Sequence, residues 1–142
     1  MPVPADGYAG DVTPTEAFEM VKDGTAVLVD VRTHPEWVYV GMPDLSSAQA
    51  QPAAIEWQSY PTGQPNPRFV HQLNAAVGPP GDRSIVFLCR SGVRSAAAAR
   101  AATAAGYTHS YNVLDGFEGG LGPDGHRGTT GWRAEGLPWR QG

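Results

Sequence analysis

Apolar positions in this chain come in short continuous runs. Residues 26–31 (Ala-Val-Leu-Val-Asp-Val) and 84–89 (Ser-Ile-Val-Phe-Leu-Cys) are the clearest, and runs of this kind predict strands buried on both faces, as in a parallel sheet. Helical signals lie between them. Thr13-Pro14-Thr15-Glu16 has capping-box spacing, with Pro where a missing N–H costs nothing, and predicts a helix over 14–22 stopped by Asp23-Gly24. Thr33-His34-Pro35-Glu36 repeats that spacing and predicts a short helix carrying Trp37 and Val38. Asn66-Pro67 reads as an N-cap and first turn, with Phe69, Val70, Leu73, Ala76 and Val77 as its buried stripe. Residues 95–105 hold eight alanines in eleven positions, which favours a helix lying close to a sheet. Residues 110–114 give one more strand.

Helix and strand thus alternate, which predicts an α/β domain with a mainly parallel central sheet flanked by helices on both faces. Residues 1–12 show no period and read as an N-terminal arm, leaving 13–142 as one domain. Between 41 and 64 the pattern weakens: 45–48 reads as a short strand, and 51–65 as loop around Ile55, Trp57 and Tyr60.

Composition narrows the function classes. The chain has 142 residues, a net charge of −4, 18 glycines and 13 prolines, enough for one core with long turns. No sequence-wide basic field is present to attract nucleic acid, and no apolar run is long enough to span a membrane. No export signal is visible at the start, which with a single cysteine fits a cytoplasmic protein. The histidines His34, His71, His109 and His126 show no metal-ligand spacing, so no metal and no organic cofactor is expected.

The specific signal is strand, Cys89-Arg90-Ser91-Gly92-Val93-Arg94-Ser95, helix. A residue at the C-terminal end of a parallel strand stands where open α/β sheets bind ligands. Gly92 permits the sharp turn, so that loop N–H groups and the positive end of the next helix converge on one point. With Arg90 and Arg94 nearby, such a point suits an anion and favours an ionised Cys89. Ser91, Gly92 and Val93 complete the anion-binding loop, and Ser95 reads as helix cap or substrate contact. Asp30 and Arg32, at the end of the first core strand, are candidates to support the loop from behind, with Arg32 and Glu36 spaced for a structural ion pair.

At these residues the chain resembles the rhodanese-like sulfurtransferases. Residues 89–94 resemble that family's six-residue active loop, Asp30-Val31-Arg32 with Glu36-Trp37 its early signature, and Val113-Leu114-Asp115-Gly116-Phe117 the segment after its last core strand. The resemblance implies a rhodanese-like fold over 13–142 with insertions near 42–65 and 120–131. It also implies transfer of a sulfane sulfur from a small anionic donor, thiosulfate or a relative, to cyanide, a thiol or a protein acceptor through a Cys89 persulfide. Gly41-Met42-Pro43-Asp44-Leu45 stands where the family commonly has Gly-His-Ile-x-Gly-Ala, and if Trp132 matches the family's late Trp, the spacing before it is stretched.

Two rival readings remain open. A non-enzymatic persulfide carrier or regulatory module would use Trp57 and Tyr60 for docking, where the alternative is that they pack a loop onto the core. Cysteine phosphatases and arsenate reductases resemble C-x5-R, whereas four residues separate Cys89 from Arg94 here. Gly125-His126-Arg127-Gly128 reads either as a basic flap over the site or as an exposed loop.

Overall fold

A computed structural model describes residues 3–59, 62–120, 125, 127 and 129–141. Its elements are β1 (Val3–Ala5), β2 (Tyr8–Val12), α1 (Pro14–Lys22), β3 (Ala26–Asp30), α2 (His34–Tyr39), β4 (Met42–Pro43), a 3-10 turn (Ser46–Ala48), β5 (Ala53–Ala54), α3 (Phe69–Val77), β6 (Ser84–Leu88), α4 (Val93–Ala104), β7 (Ser110–Val113) and β8 (Trp139–Arg140). One sheet runs β1-β2-β7-β6-β3-β5. Five of its strands are parallel and β1 alone pairs antiparallel, with β2, while β4 and β8 form a separate antiparallel pair.

Alternation along the central strands divides the core into two layers. Ile85, Phe87 and Cys89 point, with Val29 and Val31, toward Phe69 and Leu73 of α3 and Ala98, Ala99 and Ala102 of α4. Val86 and Leu88 point the other way, with Leu28 and Val113, onto Ala17 and Val21 of α1 and onto Phe117 and Trp132. Helices therefore cover both faces, and the fully buried alanines let α4 lie close against β6 and β7. Among the described residues no helix is long and apolar enough to cross a membrane.

The α1 helix has the expected bounds, and its capping box is formed: Glu16 N–H donates to Thr13 Oγ1 at 3.0 Å and Thr13 N–H to the Glu16 carboxylate at 2.9 Å. Four expectations need correction. The N-terminal arm is a hairpin whose second strand joins the sheet beside β7; too short for a visible period, it takes its order from pairing. Residues 45–48 form a turn, because the Asp44 carboxylate accepts the Ser46 N–H at 3.0 Å and Leu45 O accepts those of Ala48 and Ala50. The α3 helix begins at Phe69, after a turn in which Asn66 Oδ1 accepts the Arg68 N–H at 3.0 Å while Asn66 Nδ2 donates to Glu56 O and Gln72, and its stripe is narrower than expected, with Val70 and Ala76 exposed. The α4 helix begins at Val93, two residues early, because Gly92 turns the chain with φ 106°.

Within the 42–65 region, β5 extends the sheet and Trp57 meets Phe69 edge-on at 5.0 Å, so Trp57 packs the loop onto the core instead of presenting a docking surface. Tyr60 lies outside the described residues. Trp132 is fully buried in the second layer and donates to Pro138 O at 2.7 Å. His126 and Gly128 lie outside the described residues, while Arg127 is half-buried and donates to Gly119 O at 2.7 Å.

Candidate functional site

Cys89 follows the last residue of β6 and is 1% exposed. Its sulfur accepts the Gly92 N–H at 3.1 Å and lies 3.2 Å from Ser95 Oγ. Among the described residues Gly92 supplies the one backbone N–H bonded to the sulfur, where several were expected; the early start of α4 places Val93, Arg94 and Ser95 in the helix's first turn, so that its positive end is set at the loop. The loop is pinned from behind. Cys89 O accepts Phe117 N–H at 2.8 Å, and Arg90 O accepts those of Glu118 at 2.9 Å and Gly119 at 3.2 Å. A Cβ on Gly116, whose φ is 57°, would meet Cys89 O at a clashing distance, which is why the turn after β7 carries glycine there.

The two arginines of the loop separate. Arg94 grips Glu36 with both ends of its fork, Nη1 to Oε1 at 2.7 Å and Nη2 to Oε2 at 3.0 Å, joining α4 to α2. It is therefore a strut and not a free anion ligand, a correction whose physical reason is the carboxylate already in its grasp. Arg90 is exposed, and among the described residues its side chain has no polar partner. Val93 points outward, 77% exposed, and Ser91 is half-buried.

The expected Arg32–Glu36 pair is likewise replaced. Arg32 turns back on Asp30, Nη2 to Oδ2 at 2.6 Å, donates to Gly41 O at 2.7 Å, and stacks over Phe117 at 4.4 Å. Asp30 and Arg32 are both fully buried. They fix the end of β3 beside the loop and have no access to a substrate.

Glu36 consequently titrates far from its ordinary 4.5. Burial pushes it up, but Arg94, by hydrogen bond and charge, and then the Thr33 N–H and hydroxyl outweigh this and lower it to about 2. A carboxyl lowered by folding stabilises the fold above its unfolded value and loses that contribution as pH falls toward the folded value. Acid titration followed by circular dichroism should show wild-type stability falling between about pH 4.5 and about 2 more steeply than that of Glu36→Gln. Parallel curves would mean that the contact contributes no stability.

Two residues outside the sequence-based candidates complete the centre. Ser95 Oγ is also bonded to Asn112 Oδ1 at 2.5 Å, and Asn112 Nδ2 to Asp11 at 3.0 Å. Ser95 is thus neither helix cap, a place Gly92 takes, nor an exposed ligand. The available signal was a buried asparagine in the middle of a core strand. In front of the loop, a cleft of about 530 Å³ is lined by Thr33, Pro35, Glu36, Tyr39, Arg90 and Arg94, among others.

A parallel sheet covered on both faces, with a lone cysteine between strand end and glycine-capped helix, defines a rhodanese-like domain. Residues 9–142 match the STR4 middle domain family, and the chain belongs to that family. The crystal structure of Rv0390 from M. tuberculosis is 54% identical, superposes with a TM-score of 0.86, and is matched over 95% of this chain and 99% of its own. An uncharacterised Rickettsia rickettsii protein, the RP600 homolog, is 36% identical across 92% of this chain and 96% of its own length. A rhodanese-related protein from Thermoplasma volcanium, 17% identical over 93% of this chain and 98% of its own, shares the fold with a TM-score of 0.57.

Proposed function

We propose that the protein is a sulfurtransferase that carries a sulfane sulfur on Cys89 between a small anionic donor, thiosulfate or a relative, and a thiol or cyanide acceptor. The observation that carries this reading is the seating of Cys89 Sγ under the Gly92 N–H at the positive end of α4. That position favours a sulfur anion, both before and after it takes up a second sulfur.

The Cys89 thiolate attacks the outer sulfur of thiosulfate, the S–S bond of the donor breaks, and sulfite leaves with that bond's electron pair. Charge is conserved, and the product is a Cys89 persulfide anion. Cyanide or a thiolate then bonds to the outer sulfur, and the electrons of the persulfide S–S bond return to Cys89. Arg90, which lines the cleft and has no polar side-chain partner among the described residues, attracts the dianion and steadies the departing sulfite. Residues 91–93 shape the loop, and the Asp30–Arg32 pair supports it from behind.

Phosphoryl transfer is less well supported. The arginine that would clamp a phosphate is Arg94, and Glu36 holds it. A persulfide carrier that turns over slowly is the second reading, favoured by the near-complete burial of Cys89. Mass spectrometry after thiosulfate treatment, followed by rates with cyanide and with thiols, tests the two sulfur readings. Gain of one sulfur atom on Cys89 and rapid discharge is the expected result; gain without turnover indicates the carrier, and absence of any adduct rejects both sulfur readings.

The arginines should behave differently. Arg90→Ala should lower kcat/KM for thiosulfate about tenfold, as for loss of one charge-assisted contact in a partly solvated place. Arg94→Ala should mainly lower the melting temperature. Equal effects of both on donor capture in steady-state kinetics would contradict the separation.

A further inference from the structure

Asp11 and Asn112 stand opposite each other across the parallel β2–β7 ladder. Asn112 Nδ2 donates to Asp11 Oδ1 at 3.0 Å, and the Tyr8 hydroxyl donates to the same oxygen at 2.8 Å. A carboxylate can only accept, so Asp11 decides which way round the amide sits and turns Oδ1 toward α4. That Oδ1 takes the Ser95 hydroxyl hydrogen at 2.5 Å. A serine has one such hydrogen; with it given to Asn112, Ser95 Oγ faces Cys89 Sγ, 3.2 Å away, with lone pairs only. An acceptor in that place matches a protonated thiol and opposes a thiolate or persulfide. Cys89, Ser95 and Asn112 are 1%, 0% and 4% exposed, so water does not replace these bonds.

We propose that Asp11, Asn112 and Ser95 form a hydrogen-bond switch governing the reactivity of Cys89. The Ser95 hydroxyl points to Asn112 while the sulfur is protonated and turns to the sulfur when it is an anion. This inference rests on the reading of Cys89 as the nucleophile and deepens it. On ionisation the S–H bond breaks and its proton is released to solvent; the Ser95 O–H bond stays intact and only rotates, leaving Asn112 Oδ1 without its donor. Asp11 and Asn112 are positioning residues, acting through Ser95. The hairpin at the start of the chain thereby has a part in the site.

Among the described residues, the charged groups on the elements packed against the loop are Arg90 on the loop itself, Arg94 with its Glu36 partner, the Asp30–Arg32 pair at the end of β3, Asp115 and Glu118 on the segment that pins the loop, and Asp11 at one remove. Asn112→Leu changes none of these charges, and so provides the main test. The rate of Cys89 alkylation by iodoacetamide is measured against pH, with folding checked by circular dichroism. Freed of Asn112, the Ser95 hydroxyl can give its hydrogen to the sulfur anion, so alkylation at acid pH should rise about fivefold, the worth of one net neutral hydrogen bond, and the profile should move to lower pH. Asp11→Asn lets the amide turn over and should shift it the same way; because it also removes a negative charge, what carries the test, if Asn112→Leu does not fold, is the part of its shift that Ser95→Ala abolishes. In a Ser95→Ala background Asn112→Leu should have no effect. Unchanged profiles in both variants, or a shift that persists without Ser95, would overturn the switch. Alkylation reports the sulfur directly, so a protein showing this shift but no sulfur uptake from thiosulfate would reject the proposed activity and keep the switch.

Discussion

Cys89→Ser is expected to remove sulfur transfer, by about three orders of magnitude or more, without unfolding the protein. The chemical reason is that an alcohol near neutral pH supplies almost no anion, and oxygen cannot hold the outer sulfur as a persulfide does. The fold should survive because each partner of the sulfur suits a hydroxyl: the Gly92 N–H can donate to it, and Ser95 Oγ lies beside it. The exchange is also small in volume, at a position the alanines of α4 and the strand residues Val29, Val31 and Phe87 already enclose. The measurement is thiosulfate-to-cyanide turnover beside a thermal melt. Activity above a few per cent of wild type in a properly folded Cys89→Ser protein would show that another group carries the sulfur.

The sequence made parts of this arrangement legible for identifiable physical reasons. The β6 strand, Cys89 and the start of α4 were readable because a buried parallel strand, a glycine turn and an alanine-rich helix each leave a local mark. Capping at Thr13 is equally local. Pairings between distant segments were not readable in the same way. Glu36 has Arg32 four residues before it and Arg94 far along the chain, and only the fold brings the Arg94 fork into register with the carboxylate. Asp11 was passed over because the hairpin that carries it is too short to show a period, and its order comes from pairing with β7. Asn112 had a readable trace, a polar side chain at an inward position of a core strand, but its meaning depends on Asp11 and Ser95 at either end of its amide. Residues 45–48 were misread as a strand because the apolar Leu45 outweighed the turn signal of Asp44 and Ser46.

Arg32→Met is expected to cost about 3–5 kcal/mol, the usual penalty for leaving a buried charge without its partner. Asp30 is fully buried, and Arg32 Nε and Nη2 supply its three side-chain hydrogen bonds, at 2.9, 3.1 and 2.6 Å. Methionine fills the space of the aliphatic stem but gives nothing to that carboxylate or to Gly41 O, and it ends the guanidinium contact with Phe117. For a domain of this size the loss corresponds to a fall in melting temperature of about 10–15 °C. Adding Asp30→Asn should restore a good part of it, since a neutral amide is far cheaper to bury than an unpaired carboxylate and can still accept the Arg32-position backbone N–H, now at 3.1 Å from Asp30 Oδ1. The same pair of variants separates support from catalysis. Well below the melting transition, the alkylation rate of Cys89 in the Arg32→Met, Asp30→Asn double variant, which leaves no unpaired charge there, should stay within about twofold of wild type, because the pair is sealed from substrate and acts through the position of β3. A large loss of Cys89 reactivity in a variant that is still folded, not recovered by Asp30→Asn, would place Arg32 in the reaction itself and contradict its role as a buried support.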